Sequence, residues 1–312
     1  MIVSSSVLGH ERELQREVSL AQLIDAERGN QLEMRQTTAE DSASVFRRGQ
    51  TIGAEVYCFG DVDSTYDLAR EIIAIEESEG RDISSGTVVL ARSLQDAHGR
   101  FGRKWDAPAG GVWMTLVIHP EIGEPLNGLY TIASGVAVCE TIQGYGVEAR
   151  TKWPNDVIVD GKKISGALLE VRGNSQPERA YCLLGIGVNV NNADFPSRQL
   201  GIATSLKDHT KTDVSLDEFV ARLLGNLSWN LGLAEQYQAD SDEAAHDRTP
   251  ENPLTVRFAQ LIYKPFGTPV RYANDLQKQD SRWVTPVGID FDGALLIAEE
   301  PGRLTFGELS FN

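Results

Sequence analysis

A short glycine-rich segment, residues 98–105, places three cations beside two glycines. Glycine lets the backbone come close to a ligand, and the cations Arg100, Arg103 and Lys104 suit phosphate and carboxylate oxygens. Trp105 adds a flat apolar face for an adenine ring or for the core. A basic surface loop is the alternative interpretation. The spacing matches neither a Walker loop nor a dinucleotide fingerprint, so it does not support a conventional nucleotide-binding fold.

Three further segments carry polar groups that strands can deliver to a cleft. Residues 152–156 read KWPND: a strand delivers Lys152, Pro154 ends its ladder, and the polar turn residues then point into a cleft or simply form a strand-to-turn junction. Residues 162–170 begin with two lysines and contain a glycine that lets a ligand approach the strand. Residues 185–191 lack the third glycine and the helix of a dinucleotide fingerprint, which favours a glycine-rich strand lining a pocket.

Short apolar strands alternate with helices from residue 51 to about residue 234, and these elements must position the polar segments. Ser64 has the hydroxyl of a helix cap, and an apolar stripe with helical spacing follows it. This mixture predicts an α+β fold with a mixed sheet rather than strict βαβ repetition. The predicted strands are 53–59, 87–91, 112–118, 149–153, 164–171 and 180–190, and the predicted helices begin at Ser64 and cover 126–142 and 216–231.

The two ends of the chain differ from this central part. Residues 1–50 contain one predicted amphipathic helix through Ile24, and their six arginines, eight acids and lack of lysine argue against a DNA-binding head. Near the C-terminus, short strands with a hairpin turn at Asp292-Gly293 predict a small β-barrel. The predicted organisation is an N-terminal extension (1–50), a catalytic domain (51–240), an acidic linker (241–257) and a C-terminal barrel (258–312).

Composition restricts the partners and the compartment. A net charge of −16 favours a small-molecule or protein partner over DNA, while a few local cations can still hold small anions in a pocket. The three cysteines fit reduced core thiols, and the spacing of cysteine and histidine predicts no metal site. No apolar run is long enough for a membrane span and the N-terminus does not read as a signal peptide, so we expect a cytoplasmic protein.

The order and spacing of these segments together resemble the biotin protein ligase family. The shared features are the Ser64-Thr65 pair, the loop at 98–105, the KWPND turn at 152–156, the KxxG strand at 163–166, the GxGxN strand at 185–189, the triplet at 204–206 and the closing segment 307–310. The resemblance extends over about residues 51–312. It implies a mixed-sheet catalytic domain of the biotin/lipoate ligase type, followed by a small C-terminal SH3-like β-barrel.

The resemblance also implies an activity in two steps. Biotin would be activated with ATP to biotinyl-5'-AMP, with Mg²⁺ neutralising the triphosphate, and then transferred to a specific lysine of a biotin carboxyl carrier protein or domain of a biotin-dependent carboxylase. Because two anions must meet, such a site needs fixed cations. The implied catalytic residues are Lys163 and Arg100, the implied biotin site is Ser64, Thr65, Gln95, His98, Gly99, Arg100, Lys163 and Gly166, and the implied ATP site is Arg100, Arg103, Trp105, Lys152, Asn155 and Asn189.

Three positions depart from the family pattern. Tyr66 stands where an asparagine usually follows the Ser-Thr pair, and His98 replaces the first arginine of the loop. Gln95 lies one residue too close to Trp105 for the expected biotin-contacting glutamine. The alternatives are a related ligase that acts on lipoate or octanoate, a biotin-sensing transcriptional repressor, and a binding-only descendant without turnover. Neither nucleic acid nor membrane is expected as a partner, and a homodimer is left open.

Overall fold

The computed structural model describes most of the chain, namely residues 14–34, 44–45, 47–49, 51–119, 127–172, 181–192, 195–196, 199–243, 252–277, 281–300 and 302–311. Residues 35–43 of the predicted N-terminal extension and residues 244–251 of the predicted linker lie outside the described residues.

Helices and short strands alternate along the described chain. The helices are α1 (Leu14–Met34), α2 (Thr65–Ser78), α3 (Asn127–Gln143), α4 (Leu206–Thr210), α5 (Leu216–Glu243) and α6 (Pro253–Gln260). The strands are β1 (Val56–Val62), β2 (Val88–Leu94), β3 (Val112–Ile118), β4 (Arg150–Lys152), β5 (Asp156–Val159), β6 (Lys162–Arg172), β7 (Tyr181–Val188), β8 (Val270–Ala273), β9 (Arg282–Val284), β10 (Pro286–Ile289), β11 (Leu295–Ile297), β12 (Arg303–Leu304) and β13 (Glu308–Ser310).

A seven-stranded sheet in the order β1-β2-β3-β7-β6-β5-β4 forms the centre of the protein. Strands β1 and β2 are parallel and the other neighbours are antiparallel, which confirms the predicted mixed sheet. Leu184 and Ile186 pack with α3 and α5 on one face, whereas Val117 and Leu183 pack with α2 on the other. Because side chains alternate along a strand, Gly185 of β7 lies on the α2 face.

Helix α2 begins where the sequence predicts. The Ser64 side chain accepts a hydrogen bond from the Asp67 backbone N–H at 3.3 Å, which satisfies one of the free donors at the helix start. Leu68 and Ile72 are buried against the sheet, as the apolar stripe requires. This anchoring holds the first turn of α2 directly above the sheet.

The N-terminal helix α1 is part of the main core. Leu20 and Ile24 are fully buried in the same cluster as α5, which confirms the predicted helix through Ile24 and extends it to Met34. Arg16 forms an ion pair with Asp217 of α5 at 2.8 Å. A carboxylate oxygen of Glu17 also accepts a hydrogen bond from the backbone N–H of β1, so α1 protects an outer strand of the sheet.

Six short strands at the C-terminus form two three-stranded antiparallel sheets, ordered β10-β11-β12 and β13-β8-β9. The predicted hairpin is confirmed: Ile289 pairs with Leu295, and Gly293 adopts the positive φ of 90° that favours glycine in the turn. This arrangement agrees with a small SH3-like barrel.

The local structure of the predicted linker and of the barrel's start differs from the prediction. Helix α5 continues through Glu243, and residues 253–260 form α6 instead of linker and first strand. The Asn252 side chain accepts a hydrogen bond from the backbone N–H two residues later at 3.0 Å, and Pro253 occupies the first turn. This asparagine–proline pair is a helix start, but a helix of two turns buries too few side chains to show a clear apolar period.

The three cysteines are buried and form no disulfide, as expected of core thiols. Within the described ranges, no helix is long and apolar enough to cross a membrane.

The buried Asn252 side chain links α6 to the C-terminal hairpin, because it also donates to the Phe291 carbonyl at 2.8 Å. We expect Asn252→Ala to lower the free energy of unfolding by about 1–2 kcal/mol, since it removes a helix cap and a buried hydrogen bond. Urea unfolding measures the change. Asn30→Ala on the exposed face of α1 is the control and should stay within about 0.5 kcal/mol of the parent. Equal stability of the two variants would contradict the capping role.

Candidate active site

One cavity of about 510 Å³ opens on the α2 face of the central sheet. Its floor is formed by β3, β6 and β7, and its walls by the first turn of α2, the loop after β2, the KWPND turn and the C-terminal module. All predicted site residues except two line it: Ser64, Thr65, His98, Gly99, Arg100, Arg103, Trp105, Lys152, Asn155, Lys163 and Gly166.

Gln95 and Asn189 are the two predicted residues that the structure does not bring to the cavity. Gln95 is exposed at the end of β2, and its predecessor Leu94 lines the cavity instead. The buried Asn189 donates to the Thr204 carbonyl at 3.1 Å and accepts from the Asn192 side chain at 2.9 Å. Its amide therefore holds the chain after β7 to the segment before α4 and is not available to a nucleotide.

The floor of the cavity consists largely of glycine backbone. Gly166 of β6 lies opposite Gly187 of β7, and Gly185 lies two residues along the same face. A Cβ on Gly187 would lie 3.2 Å from the Trp105 indole nitrogen, and a Cβ on Gly166 would lie 3.0 Å from the Lys163 ammonium nitrogen. The glycines therefore make room for Trp105 from the loop and for Lys163 from the start of β6 itself.

Cations converge at the end of the cavity beside Trp105. The Lys163 ammonium lies 5.0 Å from the Trp105 ring centroid and 2.6 Å from a carboxylate oxygen of Asp156. Burial lowers the pKa of Lys152 on the neighbouring β4, and Asp156 opposes this shift. The cavity is lined by the cations Arg100, Arg103, Lys104, Lys152 and Lys163 and by the carboxylates Asp156 and Glu308, so it carries a local surplus of positive charge.

The glycine-rich loop is folded as a hairpin over this end. Two backbone hydrogen bonds close its base: the Trp105 backbone N–H donates to the Ala97 carbonyl at 2.8 Å, and the Gly99 backbone N–H donates to the Arg103 carbonyl at 2.7 Å. Phe101 at its tip adopts a positive φ of 60°, a conformation that is unusual for a residue with a side chain. The loop is therefore held in one shape by its own backbone.

Arg100 and Arg103 tie this loop to the C-terminal module. Arg100 donates to the Gly307 carbonyl at 2.9 Å and to the Asn155 side chain at 3.3 Å, while burial lowers its pKa. Arg103 forms ion pairs with both Glu308 and Asp275, and the hydrogen bond that it donates to Glu308 raises the pKa of its guanidinium. Arg103 therefore reaches the cavity, but its charge is engaged by carboxylates of the C-terminal module.

The KWPND turn joins the catalytic sheet to the same module. Trp153 is buried and donates from its indole to the Gly293 carbonyl of the C-terminal hairpin at 3.0 Å, and the following bond to Pro154 is cis. The Asn155 amide donates to the Ala167 carbonyl of β6 at 2.6 Å, and its oxygen accepts from Arg100. Asn155 thus orients an arginine of the loop.

Hydroxyl groups dominate the opposite end, beneath α2. The Thr115 hydroxyl donates to the Thr65 hydroxyl at 2.9 Å in a buried pair, so the Thr65 proton can be donated to a ligand. Ser64 and Tyr66 line the same end. This part of the cavity offers hydrogen bonds without a formal charge.

Several residues that line this cavity are not among the predicted site residues. Asp156 is the last residue of the KWPND turn, and its membership of that polar motif was the available signal. Glu308 lies in the closing segment 307–310 that resembles the family. The others come from distant parts of the chain and carried no signal of their own; they are Trp113, Gln199, Ile202, Leu276 and Gln277. In the part of the chain that the structure describes, no cluster of three or more histidine, cysteine or acidic residues is suited to a metal ion.

Comparisons with known proteins agree with this geometry. Residues 63–189 match the model of the biotin/lipoate A/B protein ligase family. The bifunctional ligase/repressor BirA of Bacillus spizizenii is 30% identical over 245 residues, which are 77% of this chain and 68% of that protein. The biotin–[acetyl-CoA-carboxylase] ligase of Paracoccus denitrificans is 35% identical over 228 residues, which are 71% of this chain and 88% of that protein.

A solved structure is similar in fold as well. The biotin protein ligase from Aquifex aeolicus in complex with biotin and ATP aligns with a TM-score of 0.64 and 25% identity, over 82% of this chain and 97% of that chain. The chain belongs to the biotin protein ligase family.

The ion pairs of Arg103 should hold the glycine-rich loop on the C-terminal module. We expect Glu308→Gln to lower the free energy of unfolding by about 1–3 kcal/mol and to speed trypsin cleavage in the loop, because a partly buried charge pair is lost. Urea unfolding and timed proteolysis with mass analysis measure both effects. The control, Asp213→Asn, removes an exposed pair with Lys207 and should change stability by less than about 1 kcal/mol. Unchanged loop cleavage in Glu308→Gln would show that this pair does not restrain the loop.

Proposed function

We propose that this protein is a biotin protein ligase, which activates biotin with ATP to biotinyl-5'-AMP and transfers biotin to a specific lysine of a biotin carboxyl carrier protein or domain. A single cavity with two chemically different ends carries this proposal. An acid with a neutral ring system can lie with its ring among the hydroxyls and its carboxylate among the cations, where the phosphates of a nucleotide also bind. The relatives named as biotin ligases and the Aquifex aeolicus complex with biotin and ATP support it.

The first step joins two anions, and the cations around Trp105 lower its electrostatic barrier. A carboxylate oxygen of biotin attacks the α-phosphorus of ATP, and pyrophosphate leaves with the electrons of the broken P–O bond. The Lys163 ammonium stands between the glycine floor and the Trp105 ring, where it can contact both the carboxylate and the α-phosphate. Lys152 adds a second, partly desolvated positive charge, which acts more strongly than a charge in open water.

Mg²⁺ is the metal ion that such an ATP-dependent step requires. Asp156 and Glu308 are the carboxylates that line the cavity, and each is paired with a cation. This donor set fits a Mg²⁺ that binds mainly to phosphate oxygens better than one held in a protein cage. When bound, the ion neutralises part of the triphosphate charge.

The second step needs the adenylate to stay in place until an acceptor arrives. The acceptor lysine amine attacks the acyl carbon, an amide forms, and AMP leaves as the mixed anhydride breaks. Arg100 holds the loop over the cavity through Gly307 and Asn155, which shields the anhydride from water and from other amines.

The decisive test is a transfer assay with purified protein, ATP, Mg²⁺, biotin or lipoate, and a biotin carboxyl carrier domain. Intact mass should show a biotin-sized increase that requires ATP and the acceptor lysine. An increase with lipoate alone would assign the protein to the lipoate branch. Tight biotin binding without any transfer would indicate a sensor or a degenerate enzyme.

A role as a repressor is not part of this proposal, although the Bacillus spizizenii relative is named as a ligase and repressor. The described N-terminal helix packs its apolar side chains into the catalytic core, and the chain carries a net charge of −16. We therefore propose a cytoplasmic enzyme that does not bind nucleic acid, and leave a homodimer as a prediction. A gel-shift assay with and without biotin tests the first point, and sedimentation tests the second.

Removing the Lys163 ammonium should slow adenylation about 100- to 1000-fold, because the transition state loses a placed charge while Asp156 is left unpaired. Pyrophosphate release by Lys163→Gln measures the step, and carrier binding should be unchanged. Lys162→Gln on the exposed neighbour is the matched control. Adenylation at the parent rate by Lys163→Gln would rule out the catalytic role.

Arg100→Gly should release the adenylate early, since the loop loses its hydrogen bonds to Gly307 and Asn155. One charged hydrogen bond is worth about 1.5–3 kcal/mol, so we expect roughly ten- to hundredfold more labelling of a bystander protein. Mass analysis of a lysine-rich bystander measures it, with Arg81→Gly in a loop outside the cavity as control. Equal labelling by Arg100→Gly and the parent would refute loop closure.

A further inference from the structure

Tyr66 spans the cavity from α2 to the floor of the sheet. Its hydroxyl accepts a hydrogen bond from the Gly185 backbone N–H at 2.9 Å and donates one to the Leu168 carbonyl. Gly185 and Leu168 lie directly opposite each other on β7 and β6. The phenol therefore ties the helix to both floor strands at one position of the ladder, and its burial raises the pKa of Tyr66, which keeps it a neutral donor.

The hydroxyl end of the Tyr66 ring lies against the glycine floor. A Cβ on Gly185 would be 2.4 Å from the ring, so only glycine at this position leaves space for the tyrosine. Two residues further along β7, Gly187 makes the same kind of room for Trp105. These two floor positions are about 7 Å apart, and the intervening Ile186 packs into the opposite core. The two aromatic side chains thus bound the two ends of a slot above the sheet.

An ion pair between α2 and β6 lies next to the Tyr66 ring. The Arg70 guanidinium lies 5.9 Å from the Tyr66 ring centroid, and it forms an ion pair with Glu170 of β6 at 2.6 Å. This pair joins α2 to β6 one helical turn beyond the tyrosine. Without the phenol ring, the slot would extend toward these two charged groups.

The charges decide which part of a ligand meets Tyr66. Lys163 lies beside Trp105, whereas Ser64, Thr65 and Tyr66 line the cavity with hydroxyl groups and carry no formal charge. Given the proposed function, on which this inference rests, the carboxylate of biotin points to the cations and its fused rings point to Tyr66.

We propose that Tyr66 is the end wall of the biotin slot and determines the size of ring system that the enzyme accepts. Its ring excludes substituents on the part of the acid farthest from the carboxylate. Its hydroxyl is a positioning group that holds the wall to β6 and β7.

The test compares biotin with a biotin that carries one small alkyl group on a ureido nitrogen, with pyrophosphate release as the readout. The parent should prefer biotin by about 10- to 200-fold in kcat/KM, the range for one added carbon group in a tight pocket. Tyr66→Ala should reduce this preference at least tenfold, mainly through a lower KM for the substituted acid. Tyr181→Ala removes a half-buried tyrosine from the same sheet face outside the cavity, and it should retain the parent's preference.

Tyr66→Phe distinguishes the effect of the ring from the effect of the hydroxyl's hydrogen bonds. It also provides a test if the alanine variant does not fold. It keeps the ring, so it should still exclude the substituted acid, while its melting temperature falls by a few degrees because two backbone groups lose their partner. An alanine variant that uses biotin and rejects the substituted acid as strongly as the parent would overturn the inference. Admission of that acid by Tyr66→Phe would overturn it as well. No turnover of biotin by the parent would instead reject the proposed function, and this inference with it.

Discussion

Three glycines on neighbouring strands leave part of one sheet face without side chains, and the candidate active-site cavity lies above them. In a layered α+β fold that face would ordinarily be filled by packing against a helix. Gly185, Gly187 and Gly166 instead accept the side chains of Tyr66, Trp105 and Lys163 from above. At these three positions the floor therefore supplies only backbone, while Tyr66 comes from α2, Trp105 from the loop after β2 and Lys163 from the start of β6.

This arrangement explains how a protein with a net charge of −16 can hold anions. The cations face inward around a slot with low exposure to water, where their field is screened less than at the surface. Ion pairs restrict the positions of two of these cations. Asp156 orients Lys163, and Asp275 and Glu308 of the C-terminal module hold Arg103. Carboxylates thus hold Lys163 and Arg103 in position before any ligand binds.

The C-terminal module belongs to the active site as much as the catalytic sheet does. Gly307 and Glu308 hold the two loop arginines, and Gly293 holds the tryptophan of the KWPND turn. Contacts of this kind join residues that are between 140 and 207 positions apart in the chain. A change in the module can therefore alter the loop without any change in the loop's own sequence.

Local patterns predicted much of this protein correctly, for a physical reason. Strand β3 coincides with its predicted apolar run, and α2 begins at the predicted cap, because period and capping are properties of neighbouring residues. The short helix α6 was missed, since two turns leave too little pattern and its stability comes from burying Leu254 and Phe258.

The residue types and their order were sufficient to predict the family, the mixed sheet, the cation-rich loop and the strand that begins with two lysines. Only the tertiary structure decided which polar groups are available to a ligand. Asn189 is turned toward Thr204, Gln95 faces away from the cavity, and Arg103 is occupied by carboxylates. The reason is that a polar side chain bonds to whichever partner the folded chain places beside it, and that partner is often far away in sequence.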